Sequence, residues 1–105
     1  PKAVARFKLL PMPNCCGVCI STAAWVSHTY QKHGIGTILN KLRIDLAKAS
    51  NYGLLLCTDI ESNVAQRKIL KKNNWKDLIN FVNPKTNHRV YLSAVDLTTE
   101  QQKVT

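Results

Sequence analysis

The chain has 105 residues, 45% of them apolar, and 15 Lys and Arg against 6 Asp and Glu give a net charge of +9. This length supports one hydrophobic core but not two, and the apolar fraction is ordinary for a globular protein. No apolar run approaches the ~18–20 residues of a membrane span, and the start at Pro1-Lys2-Ala3 lacks the apolar stretch of a secretory signal. We expect a cytoplasmic, basic protein with no membrane partner: one domain over residues 1–97 and a polar tail over 98–105.

In chain order, Ala3–Leu10 alternates like a strand, and Pro11-Met12-Pro13-Asn14 is a turn. Cys15–Ser27 is rich in small and β-branched residues and predicts a second strand, with Gly17 at a bulge. Ile35 to about Ser50 carries helical periodicity: Ile35, Ile38, Leu39, Leu42, Leu46 and Ala47 fall on one face, and Lys41, Arg43, Asp45 and Lys48 on the other. Asn51-Tyr52-Gly53 ends the helix. The apolar run Leu54–Thr58 predicts a buried strand, parallel to the one before the helix. Asp59, Ser62 or Asn63 caps a second helix to about Lys72, with Val64, Ala65 and Ile69 on its apolar side. Trp75–Val82 and His88–Leu97 form a hairpin around Asn83–Asn87. The four cysteines Cys15, Cys16, Cys19 and Cys57 read as small core residues of a reducing compartment; their spacing predicts no metal site.

The strongest signal lies between the second strand and the first helix, at Gln31-Lys32-His33-Gly34-Ile35-Gly36. Glycines let the backbone approach a phosphate, and the first N–H groups of the following helix point at it unpaired. The order is neither G-x-G-x-x-G nor G-x-x-x-x-G-K-[ST]. The remaining pattern, Q-x-x-G-x-G, resembles the acetyl-CoA signature [QR]-x-x-G-x-[GA] of the GCN5-related N-acetyltransferase (GNAT) superfamily. A second stretch, Asn63 to Trp75, resembles that family's N-x-x-A-x-x-[FL]-Y-x-K-x-G-[FW]. Asn63, Ile69, Lys72 and Trp75 fit; Asn74 replaces a glycine, which Asn can do because it also visits positive φ.

The resemblance covers roughly Cys15 to Val95. It implies a mixed α/β sheet of the GNAT fold, minimal or lacking the N-terminal helices, with acetyl-CoA or coenzyme A as cofactor. The backbone of Trp25 and Val26 would bond the pantetheine arm. Gln31, Lys32, His33, Gly34, Ile35, Gly36 and Thr37 would form the pyrophosphate loop, and Asn63 would contact the cofactor from the second helix. Where many members place a proton-donating tyrosine, this chain has Leu70; Ser62, Cys57 and Tyr91 are the alternative acids, or solvent serves. Asp59 is the best-placed carboxylate for a general base, ahead of Glu61 and His28.

The leading expectation is acetyl-CoA-dependent N-acetyl transfer to an unidentified amine on a small molecule, protein or nucleic acid. The +9 charge and the cluster Arg67, Lys68, Lys71, Lys72 and Lys76 motivate a nucleic-acid-directed alternative. Leu70 motivates a third, non-catalytic CoA-binding reading. A bare sheet edge would favour a homodimer, since exposed edges are usually covered.

Overall fold

A computed structural model of the chain describes residues 4–30 and 34–98, apart from the side chains of Ala23 and His28. Among the described residues, five strands form one mixed sheet in the order β1-β2-β3-β5-β4. They are β1 (Ala5–Pro11), β2 (Val18–Val26), β3 (Leu54–Ile60), β4 (Lys76–Val82) and β5 (Arg89–Asp96). Helix α1 (Ile35–Ala49) joins β2 to β3, and α2 (Val64–Lys72) joins β3 to β4. β2 and β3 run parallel, as the apolar run after α1 implied, and the other neighbouring pairs are antiparallel.

Strand side chains alternate between faces. Leu55 and Cys57 of β3 therefore share a face, and they pack with Cys19, Val95, Trp75, Ala47 of α1 and Leu70 of α2. Both helices thus cover the same side of the sheet. Burying a leucine such as Leu55 or Leu70 stabilises the fold by roughly 1.5–3 kcal/mol. On the opposite side Ile60, Ile79 and Phe81 are exposed.

Asparagines supply the left-handed turns. Asn51 leaves α1 at φ 68°, Asn74 follows α2 at φ 66°, and Asn87 closes the β4–β5 hairpin at φ 61°. In that hairpin the Asn83 N–H donates to the His88 carbonyl at 2.8 Å. Asn74 does take the conformation that a glycine would otherwise supply.

Four expectations need correction. The apolar face of α1 is only partly inward: its member Ala47 is fully buried, but Ile38, Leu42 and Leu46 are 55%, 53% and 49% exposed, and Asn40 and Arg43 are buried beside Ala47. Lys41, Asp45 and Lys48 stay exposed, but Arg43 turns inward, where it donates to Asn40 Oδ1 and to Ser21 Oγ. Arg43 is accordingly not an outer-face residue. On α2, Val64 and Ala65 are exposed and Leu70 is the buried residue. Cys15 and Cys16 are exposed in the turn before β2, so only Cys19 and Cys57 are core thiols. Gly17 lies in that same turn at φ 85° rather than at a bulge.

Candidate functional site

The sheet opens between its two parallel strands. Registered pairing of β2 with β3 covers Val18–Ile20 against Leu54–Leu56. Beyond those residues β2 continues to Val26 and β3 to Ile60. The other edge of β2 is irregular as well. From Arg6 to Lys8 is two steps on β1, but their partners Trp25 and Thr22 are three steps apart. The extra residue in β2 is a β-bulge, which bends its strand and sharpens local twist. No glycine or proline marks it in the sequence, so pattern reading had no signal for it.

The helices α1 and α2 start where β2 and β3 end, so their N-terminal N–H groups lie toward the open end of the fork. Gly34 is the N-cap of α1, at φ 76° and ψ 3°, and no side chain caps it. That left-handed conformation suits glycine. The first turn of α1 holds no acidic side chain, so among the described residues the helix dipole there lacks an anionic partner. Gly36 serves a packing purpose: a Cβ there would lie 3.0 Å from Ile69 Cδ1 of α2. Its absence lets the first turn of α1 approach α2. Ile35 is half-buried and Thr37 exposed beside it. Gln31, Lys32 and His33, the rest of the expected loop, lie outside the described residues.

Trp25 is 45% exposed on β2, with the Arg6 guanidinium 5.4 Å from its ring centre. Val26 pairs with Ala5 at the end of the same strand. Asn63 caps α2 by accepting the Gln66 N–H at 3.2 Å, which resolves the three capping candidates in its favour.

Asp59 sits on the helix-covered face of β3, its side chain 2% exposed and 3.2 Å from Arg67 Nη1. Arg67 also holds Asp77 of β4 at 2.7 Å, and its guanidinium lies 3.7 Å above the Tyr91 ring on the intervening β5. Asp77 in turn accepts from Ser93 Oγ at 2.9 Å. Burial pushes the Asp59 carboxyl above its ordinary range, against the pull of Arg67. The Arg67 hydrogen bond holds Asp77 below its ordinary range. Asp59 is thus bound into a clamp across three strands. Glu61 is exposed, with an oxygen 3.9 Å from Arg89 Nε. The side chain of His28 is outside the described set.

Among the alternative acids, Cys57 is buried and its thiol is pushed up to about 11, chiefly by desolvation. Tyr91 lies under Arg67, and Ser62 is exposed. Leu70 is a core residue, 2% exposed. The basic cluster divides: Arg67 is consumed by two carboxylates, whereas Lys68, Lys71, Lys72 and Lys76 are exposed. Arg67 was missed as a structural residue because its partners come from strands distant in sequence. Arg43 was missed because a lone arginine at helical spacing reads as solvent-facing.

No protein-family model matches the sequence, and no curated protein is similar to it in sequence. Solved structures do match in shape. An acetyltransferase of the GNAT family from Streptococcus pneumoniae superposes with a TM-score of 0.72 at 16% identity, over 88% of this chain and 57% of that one. The ribosomal-protein-S18-alanine N-acetyltransferase from Escherichia coli gives 0.70 at 14% identity, over 89% of this chain and 59% of that one. A Salmonella typhimurium protein assigned as an acetyltransferase, solved with its cofactor acetyl-CoA, gives 0.78 at 12% identity, over 90% and 58%. The chain therefore has the GNAT superfamily fold, and it spans less than two thirds of the length of these structures.

Proposed function

We propose that this chain binds acetyl-CoA and belongs to an acetyl-CoA-dependent N-acetyltransferase. One observation carries the reading: two parallel strands part after Ile20 and Leu56, and an uncapped, glycine-led helix N-terminus stands beyond the opening. An extended pantetheine arm fits such a gap as an added strand, because β2 turns polar backbone toward it. The N–H groups of Ile35, Gly36 and Thr37 suit the pyrophosphate. The three structural neighbours are acetyltransferases by name, and one was solved with acetyl-CoA.

In the proposed reaction an amine attacks the thioester carbonyl, the C–S bond breaks, the amine proton leaves, and CoA departs as a thiolate. Catalysis then rests mainly on positioning. Asp59 is occupied by Arg67, so we assign the amine proton to water at the fork rather than to Asp59 directly. The buried Leu70 carries no proton, which assigns thiolate protonation to solvent. Missing acid–base help costs roughly 10²–10⁴-fold in rate and leaves binding intact.

Thr37→Glu tests the reading. A carboxylate in the first turn favours the helix dipole but repels a pyrophosphate. We expect acetyl-CoA to raise the melting temperature of the wild type, and T37E to keep or raise the basal value while losing that shift. An equal shift in both proteins, or none in the wild type, refutes the cradle.

A further inference from the structure

The turn before β2 carries chemistry that lies outside the fork. Cys15 and Cys16 are adjacent, free and exposed. With Met12 they line one open concavity of about 490 Å³, whose far wall is Asn51 and Tyr52 at the exit of α1. Three sulfur-bearing residues therefore line one space, at the opposite end of α1 from Gly34, and the Cys15 thiol lies 3.9 Å from the Cys16 carbonyl oxygen.

The backbone holds them there. The Cys15 N–H donates to the Met12 carbonyl at 3.3 Å, and the Met12 N–H to the Val18 carbonyl at 3.0 Å. Asn14 and Gly17 take φ 57° and 85°, reversing the chain twice within the turn. The Gly17 carbonyl accepts from both Gly53 and Leu54 N–H, at 2.8 and 3.1 Å, tying the turn to the start of β3. Adjacent Cα atoms lie about 3.8 Å apart, so the thiols of two neighbouring residues that line one concavity can rotate to reach the same ion. Among the described residues no group of three His, Cys, Asp or Glu side chains gathers to hold a metal ion. The third donor here is a thioether, which selects for softness: thiolate and thioether together favour Cu(I) over Zn²⁺, Mg²⁺ or Ca²⁺.

We propose that Met12, Cys15 and Cys16 form a binding site for a soft, thiophilic monovalent cation of the Cu(I) type. Binding is ligation without electron transfer: two thiols lose their protons to solvent, two thiolate–metal bonds form, and the thioether completes a trigonal set. The site then carries one net negative charge, which a chain of +9 accommodates. Cys19 and Cys57 do not compete, because burial raises both thiols above their ordinary range.

The test uses the reduced whole chain and Cu(I) held as its coloured bicinchoninate complex. We expect the wild type to withdraw one Cu(I) per chain, read as loss of colour. C15S/C16S should withdraw none, and M12L, which keeps the volume but removes the sulfur, should bind several-fold more weakly. Both changes are at exposed positions, so the melting temperature should hold. No withdrawal by the wild type, or undiminished withdrawal by either variant, overturns the site.

Discussion

Arg43 and Arg67 descend from different helices onto the same face of the sheet, and each lies against an aromatic ring. The Arg67 guanidinium is 3.7 Å from the Tyr91 ring centre, and that of Arg43 is 4.8 Å from Trp75. Their partners differ. Arg67 holds two carboxylates, Asp59 and Asp77. Arg43 is 2% exposed and its hydrogen bonds go to neutral oxygens of Asn40 and Ser21. Beside it, Asn40 Nδ2 and Trp75 Nε1 are buried donors with no acceptor among the described residues. Arg67 is paired directly with two carboxylates, whereas Arg43 is a buried cation hydrogen-bonded to neutral groups, with Asp59 as its secondary charge partner. Burial accordingly lowers the Arg43 pKa, while its hydrogen bond to Asp77 raises that of Arg67. The contrast teaches that a buried arginine's contribution depends on what its removal leaves behind. Without Arg67, Asp59 is a buried carboxylate that has lost its direct partner and keeps only the weaker pull of Arg43. Without Arg43, neutral acceptors lose a donor and Asp59 loses a secondary attraction, while the cost of desolvating a cation disappears.

Methionine substitutions, which keep an unbranched apolar stem but remove the charge, break the comparison apart. R67M should cost the most, about 3–5 kcal/mol, the usual effect of stranding a buried charge. R43M should cost less, about 1–3 kcal/mol, because two neutral acceptors are left unpaired. Urea midpoints at neutral pH rank the two, and an equal or reversed order would contradict the assignment of Arg67 as the main charge partner of Asp59.

The smallest effect concerns pH. The Asp77 carboxyl is lowered in the fold, so its contribution is present above the ordinary Asp range and is lost as pH falls through its folded value. The Asp59 carboxyl is raised, so its contribution is present below the ordinary range and is lost as pH rises through its folded value. The two oppose each other around pH 4. D77N removes the acid-labile member, so its stability between about pH 5 and 3 should fall less steeply than that of the wild type. A steeper fall would show that Asp77 is not the group Arg67 favours.

Much of the fork was legible in advance. The Gly-x-Gly pattern predicts a loop glycine before a helix, and Gly34 is the left-handed N-cap of α1. Leu54–Thr58 was read as a buried parallel strand, and Leu55, Leu56 and Cys57 are buried in β3. These features are local: a glycine's φ freedom and a short apolar run depend on near neighbours. The bulge in β2 was not legible, because it depends on the register against β1. The inner face of α1 was misread in part, since hydrophobicity alone cannot anticipate that Arg43 finds Ser21 across the sheet.

By itself, then, the sequence determined the order of strand, loop, helix, strand and helix, along with the glycine and asparagine turns. Those follow from backbone sterics and helical or strand periodicity, which act over a few residues. Tertiary structure alone decided which side chains of α1 go inside, which thiols remain outside, and that Asp59, Arg67 and Asp77 meet across β5. Those outcomes rest on the desolvation of charged and polar groups, whose cost is set by partners that only the folded chain brings within hydrogen-bonding distance.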